Sequence, residues 1–217
     1  LYKIASSISN RILSLYKSRI TILNYIERLN YSVEDYQPFS INEIDAMYVN
    51  NQLDMLLSHQ TDDKKVYIKY FISNKGGSKQ FRPQALDIII EDLYDIESVL
   101  TKKDTLICII DEEPNETILS KIQYLYERNQ IFIVLHNINR LQFNLLDHVL
   151  VPDVEIMTNE QIEVLKKEKN LNNLQLLPEI SRFDPHALAI ALRPGQVAKF
   201  IRKSATALSA NYYRICI

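Results

Sequence analysis

Apolar residues at Ile4, Ile8, Ile12, Leu15, Ile22, Ile26 and Leu29 recur at three- and four-residue spacings or their sums. That period draws one stripe along a long amphipathic helix at the N-terminus. Ser40 followed three residues later by Glu43 is a reciprocal capping box, which satisfies two otherwise orphaned amide donors and opens a second helix, expected to run to about Leu57. The period then shortens to two. VYIKYFIS, residues 66–73, reads as a strand rich in β-branched and aromatic side chains, and NKGGSK, 74–79, supplies a turn. Pro83 opens PQALDIIIEDLYDIESVL, read as helix. TLICII, 105–110, is a continuous apolar run of the kind buried on both faces of a sheet, Pro114 opens a helix through Tyr126, and IFIVLH, 131–136, is a further buried strand. Strand, helix, strand, helix, strand implies an α/β domain with a partly parallel sheet.

The pattern changes at LLDHVLVPDVEIMT, which sets the expected domains at 1–145 and 146–217. Thr158 with Gln161 makes a second capping box ahead of a short helix ending in lysines. LLPEISRF is expected to be extended, because a residue before proline avoids helical angles. Asp184 caps a helix whose first residue is Pro185. Gly195 follows that helix, so it suits a stop and turn at positive φ and not a phosphate loop, whose glycines precede a helix. QVAKFIR and YYRICI are then two strands separated by KSATALSAN. Val197, Lys199 and Ile201 share one face and Ala198, Phe200 and Arg202 the other; neither is cleanly apolar or polar.

Charge is sorted by region. Residues 1–33 and 178–217 each carry a net charge of +4, while 85–117 carry −8, within a chain of formal charge −2. Such segregation sets basic faces toward an acidic partner. No apolar run approaches the roughly 18 residues of a membrane span, and charged and polar residues interrupt the N-terminal stripe too often for a signal peptide. Cys108 and Cys216 are far apart and read as small buried hydrophobes, with neither a disulfide framework nor a cysteine zinc site. His59, His136, His148 and His186 have no i,i+4 partner, so no metal site and no cofactor are expected. Asp62, Asp63 and Lys64 have the acidic-x-lysine look of two-metal nucleases, and also the look of solubilising loop charge. No Gly-x-Ser-x-Gly elbow occurs, and no catalytic residues are assigned.

The carboxyl-terminal 70 residues resemble subunit 5 of eukaryotic RNA polymerases and its archaeal counterpart. The resemblance rests on an ordered series: His148, Leu150-Val151-Pro152, Met157-Thr158, Leu177-Pro178, Ile180, Asp184-Pro185, Gly195-Gln196-Val197, Lys199, Ile201-Arg202, Ser204, Thr206-Ala207 and Tyr213-Arg214. The chain departs from the family pattern at Ala205, usually glutamate, at Lys203, usually proline, at Ser209, usually arginine, and at Ala191 and Leu208, both usually glycine. A lysine-, asparagine- and isoleucine-rich composition suggests a fast-evolving homologue such as those of large DNA viruses. The resemblance implies a mixed α/β chain: an N-terminal jaw-like domain followed by a small α+β polymerase-assembly domain. It also implies a non-catalytic subunit of a multisubunit DNA-directed RNA polymerase, whose assembly domain docks on the largest subunit and whose jaw lies near downstream double-stranded DNA. The compartment would be the nucleus, or the host cytoplasm or virion for a viral homologue. Lys199, Arg202, Ser204, Thr206 and Arg214 are the expected subunit interface. By position the family's DNA-approaching loop is Pro114 to Lys121, introduced here by Asp111, Glu112 and Glu113, whose charge repels phosphate. Lys75, Lys79 and Arg82, with Lys121, are therefore the DNA-facing candidates for weak, sequence-independent contact. The competing readings are a metal-dependent nuclease built on the α/β domain and an adaptor that binds polymerase transiently.

Overall fold

A computed structural model describes residues 2–37, 39–72, 81–204 and 206–217. The turn expected at 74–79 and the side chains of Ile4 and Ile8 lie outside the described residues. The chain divides into two units, Leu1–Phe143 and Asn144–Ile217.

In the first unit α1, Tyr2–Arg28, buries Leu15, Ile22 and Ile26, the stripe read from the sequence. It stops where Asn30 takes a positive φ of 63°, a conformation that asparagine tolerates better than most residues. Ser40 caps α2, Ile41–Val49, with the expected capping box. That helix ends eight residues short of Leu57. Asn51 at φ 55° turns the chain, and Met55–Ser58 becomes a strand, β1, whose residues alternate buried and exposed. The two-residue period of Met55 and Leu57 is too short a signal to stand out beside a preceding helix pattern.

β2, Lys65–Phe71, pairs antiparallel with β1 and parallel with β3, Thr105–Ile110, which pairs parallel with β4, Phe132–Asn137. The sheet order is β1-β2-β3-β4. All six residues of β3 and all six of β4 are buried, which is why both read as unbroken apolar runs. Ahead of β3, α3 spans Pro83–Ile90 and passes into a wide π-helical turn, Glu91–Ile96, so the region expected as one helix changes its winding midway. Ser98, at φ 51°, ends it. α4, Glu116–Asn129, starts two residues after Pro114. Asn115 is the cap, its side-chain oxygen accepting the Ile118 N–H at 3.0 Å, and a proline ahead of the cap only fixes the chain's approach.

One buried carboxylate ties the sheet's lower edge together. Asp104, 3% exposed, accepts the backbone N–H of Lys65 at 2.6 Å and both the N–H and hydroxyl of Thr101 at 2.6 and 2.8 Å. It therefore joins the start of β2 to the start of β3. Hydrogen bonds to a charged group contribute about 1.5–3 kcal/mol each, and donors left unpaired by its removal carry a desolvation cost. Asp104→Ala is expected to lower unfolding free energy by about 2–4 kcal/mol, measured as the shift of the urea midpoint; a shift within error would show that the clamp does not matter.

His136, at the C-terminal end of β4, is 5% exposed. Its ring lies 6.3 Å from that of Tyr25. Burial, helped by the positive charge of Arg140, lowers its pKa to about 4. The unfolded chain thus binds a proton that the folded chain refuses. Stability contributed by the neutral ring is fully present above the ordinary value of about 6.5 and is lost as pH falls toward about 4. Between pH 7 and pH 5 the melting temperature is expected to fall, and His136→Leu should flatten that fall when the two proteins are compared by calorimetry.

The second unit is a sheet of order β5-β7-β8-β6. β5 is Asp153–Ile156, β6 Glu179–Ile180, β7 Val197–Ser204 and β8 Leu208–Cys216. Thr158 and Gln161 form the capping box of α5, Asn159–Lys169. Asp184 accepts the His186 N–H at 2.9 Å to cap α6, Pro185–Ala189. Ile180, Ala187, Ile190, Leu192, Ala198, Phe200 and Cys216 form this unit's core. β7 and β8 are longer than the sequence indicated. Their ladder continues through Arg202↔Ala210, Lys203↔Ser209 and Ser204↔Leu208, so most of the nine-residue connection is strand. Small polar residues hide strand character because their pairing is supplied by the partner strand and not by burial.

Candidate functional site

The β7–β8 hairpin carries the residues singled out in the sequence, and its closure is set at the base by Gly195. At φ 86°, this glycine donates its N–H to the Cys216 carbonyl at 2.9 Å, while the Cys216 N–H donates to the Gln196 carbonyl at 2.9 Å. The side chain of Gln196 accepts the Arg193 N–H at 2.8 Å. The glycine is thus the corner that turns the chain from α6 into the last two strands, a role that positive φ reserves for it.

Strand alternation distributes the candidates over two faces. Ala198, Phe200 and Arg202 lie opposite Arg214, Tyr212 and Ala210. The inner part of this face is the unit's core, where the His186 ring meets Phe200 edge-on at 5.1 Å and burial lowers the His186 pKa. Around Tyr212 the same face becomes cationic, with Arg202 on the tip side and Arg214 on the base side, opposite Ala198. The guanidinium carbons of Arg202 and Arg214 lie 5.4 and 5.2 Å from the centroid of the Tyr212 ring, within cation–π range. Arg214 also donates to the Glu179 carbonyl at 3.1 Å. Lys199 belongs to the opposite face, paired with Glu155 of β5 at 3.2 Å. There, a groove of about 520 Å³ opens between the sheet and α5, lined by Val164, Leu165, Lys199 and Tyr213 among others.

Ser204 and Thr206 sit at the tip. The Ser204 hydroxyl accepts the backbone N–H groups of Thr206 and Ala207 at 3.4 and 3.3 Å, which pins the turn. Tyr212 was not identified in the sequence as a candidate. Its signal was the aromatic opposite Phe200 in the β7–β8 register, invisible until that register is known. Two positions where the resemblance leads one to expect glycine, Ala191 and Leu208, take φ values of 48° and 56°. The backbone keeps the left-handed turn and the side chains bear its strain.

Of the DNA-facing candidates, Lys75 and Lys79 lie outside the described residues. Arg82 is exposed at the start of α3. Lys121 is held by Asp87 at 2.8 Å. The carboxylates after β3 are partly neutralised from within their own unit. Asp111 accepts Arg11 at 2.9 Å, with burial raising its pKa against the opposing pull of that arginine. Glu113 accepts Arg140 at 2.8 Å and the Asn137 amide at 3.1 Å. The acidic trio is therefore less repulsive to phosphate than its charges imply. Asp62 and Lys64 bond each other in the turn between β1 and β2, where the Asp62 N–H also donates to the His59 ring at 3.0 Å. Among the described residues, no three His, Cys, Asp or Glu side chains converge to hold a metal, and no helix is long and apolar enough to cross a membrane.

The second unit is a small mixed sheet with capped helices and a cationic hairpin. Comparison with known proteins gives it a family. Residues 143–216 match the model described as RNA polymerase Rpb5, C-terminal domain. The chain is 45% identical over 76 residues to DNA-directed RNA polymerase subunit Rpo5 of Methanococcoides burtonii, covering 35% of this chain and 96% of that one. It is 41% identical to the Thermococcus kodakarensis Rpo5 over 76 residues, 35% of this chain and 92% of that one. With the Archaeoglobus fulgidus Rpo5 it shares 39% over 77 residues, 36% of this chain and all of that one. The chain belongs to the Rpb5/Rpo5 family of RNA polymerase subunits through this C-terminal unit; each of these matches covers little more than a third of its length.

Because a non-glycine residue at positive φ costs about 1–2 kcal/mol while glycine adds about 0.4–1 kcal/mol of unfolded-state entropy, Ala191→Gly is expected to raise stability by about 0.5–1 kcal/mol. The urea midpoint of the full chain checks this, and a midpoint lowered by the glycine would show that no strain resides at Ala191.

Proposed function

We propose that this protein is a non-catalytic structural subunit of a multisubunit DNA-directed RNA polymerase, joined to the largest subunit by its C-terminal unit. The observation that carries the reading is the coincidence of three boundaries. The family match starts at 143, the second structural unit starts at Asn144, and the archaeal relatives consist almost entirely of the matching segment. A module that exists alone in those chains is appended here to an N-terminal α/β unit. Arg202 and Arg214 around Tyr212 offer the aromatic–arginine pairing enriched at stable interfaces. Ser204 and Thr206 shape the hairpin tip, and Lys199, already paired with Glu155, contributes at the groove on the other face. The chain accordingly resides with the transcription machinery, in a nucleus or, for a viral homologue, in host cytoplasm or virion.

The N-terminal unit serves as a jaw beside downstream DNA. Its contact is weak and reads phosphate charge and not base edges. Neutralisation of Asp111 by Arg11 and of Glu113 by Arg140 favours this placement. The nuclease reading has less support, since Lys64 is occupied by Asp62 in a hairpin turn.

A tagged chain co-expressed with the two large polymerase subunits is expected to recover both in stoichiometric amounts through washing. Recovery of the chain alone would sink the subunit reading, and recovery only at low salt would indicate the transient adaptor. For DNA, the affinity of the full chain for duplex should fall steeply as salt rises. Arg82→Ala should reduce the slope of log affinity against log salt by about 0.9 if that side chain meets one phosphate; an unchanged slope in filter binding removes Arg82 from the contact.

A further inference from the structure

The second sheet ends on an open edge. In an antiparallel pair, the N–H and C=O of successive residues point alternately toward and away from the neighbour. The Cys216 N–H reaches Gln196 of the β7 side, so the even-numbered residues of β8 face β7, and Ser209, Asn211, Tyr213 and Ile215 face outward. Ile215 is satisfied there: its N–H donates to the Pro178 carbonyl at 3.0 Å, and the ladder continues with Ile217 donating to Ile180 and Arg182 donating to Ile217. One step toward the hairpin tip, the same parallel register would require residue 178 to donate its N–H to the Tyr213 carbonyl. Residue 178 is proline and has none. β6 accordingly pairs with β8 only at Glu179↔Ile215 and Ile180↔Cys216, and the chain before Pro178 turns away in a 3-10 helix, Leu174–Leu176.

Among the described residues, no strand continues the sheet past Asn211 and Tyr213. The Ser209 N–H is used locally, donating to Ala207. The edge also lacks the usual defences. Native edges are blunted by lysine, proline or bulges, whereas LSANYY, residues 208–213, contains no charge, no proline and no glycine. Residues 208–211 are exposed, with Leu208 91% accessible. The two strands themselves are cationic: residues 197–216 carry Lys199, Arg202, Lys203 and Arg214 and no carboxylate, although Glu155 occupies Lys199 and Glu160 and Glu168 of α5 line the groove that Asn211 and Tyr213 share.

We propose that the outer edge of β8, from Ser209 to Tyr213, is a strand-addition site that takes an extended, carboxylate-bearing segment of a polymerase large subunit as a fifth strand. Main-chain bonds to Asn211 and Tyr213 supply the pairing, and the basic side chains flanking the edge select an acidic segment over a neutral one. The proposal rests on the subunit reading for the identity of the partner, and on the backbone alone for the mode of attachment.

The test substitutes the outward N–H. Asn211→Pro removes a donor that β7 does not use and leaves the β7–β8 ladder its own bonds, while Asn211→Ala changes only the side chain. Full-length proteins are co-expressed with the two large polymerase subunits. Wild type and Asn211→Ala should co-purify, and Asn211→Pro should be recovered at least about tenfold less at an unchanged melting temperature, since tenfold corresponds to about 1.4 kcal/mol, within what lost pairing yields. Equal recovery of Asn211→Pro overturns the strand-addition site while leaving the subunit reading intact; failure of wild type to co-purify overturns the subunit reading and this proposal with it. Should the proline variant melt early, amide hydrogen exchange on the wild-type chain decides. The Asn211 and Tyr213 amides must exchange rapidly in the free chain and become protected in the complex; amides that stay unprotected on assembly overturn the site. A concentration-dependent dimer of the isolated chain that Asn211→Pro abolishes would assign the edge to a second copy and overturn the acidic partner.

Discussion

Proline has no amide hydrogen, and at Pro178 that deficit governs the C-terminal unit. It limits β6 to two residue pairs, ends the parallel ladder beside Ile215, and leaves the edge of β8 away from β7 without a neighbouring strand from Ser209 to Tyr213 among the described residues. Everything else in the unit secures that strand from the other side. Eight cross-strand pairs join it to β7, Gly195 fastens its end through Cys216, and Phe200 and Cys216 are anchored in a core built with α6. A strand so firmly held on one edge and so bare on the other is preorganised for association, because the ordering entropy is already spent in folding.

Charge placement follows the same logic at both ends of the chain. In the first unit, carboxylates at the end of β3 are consumed by Arg11 and Arg140, so a segment that looks strongly acidic in sequence presents less net charge in space. In the second, Arg202 and Arg214 find an aromatic ring in place of a carboxylate and keep their charge available. Lys199 is the exception, since Glu155 reaches it across β5. Ion pairing thus sorts the basic residues into those that hold the fold together and those free to meet a partner.

The chain makes left-handed turns at Ala191 and Leu208 without glycine at either position, although glycine is the residue best suited to such a turn. Local geometry of this kind is why an ordered series of short motifs identified the C-terminal unit. Capping boxes, Asp184-Pro185 and Gly195 each impose a local geometry that the rest of the unit needs. The family match covers residues 143–216; the first unit has a capping box of its own at Ser40 and Glu43.

What the amino-acid order determined by itself was the local and the fully buried. The α1 stripe, both capping boxes, β3, β4 and the turn at Gly195 were all readable, because helix period, cap chemistry and two-sided burial act within a few residues. The parallel arrangement also followed, from strands separated by helices. Tertiary structure alone decided the rest. β1 at Met55–Ser58 and the outer halves of β7 and β8 exist because neighbouring strands complete their hydrogen bonds, and pairing with a distant strand leaves little mark on the residues themselves. The pairing of Arg202 and Arg214 with Tyr212, and the exposed edge beside Pro178, depend on register. Register is a relation between segments far apart in the chain, fixed only when the sheet is assembled.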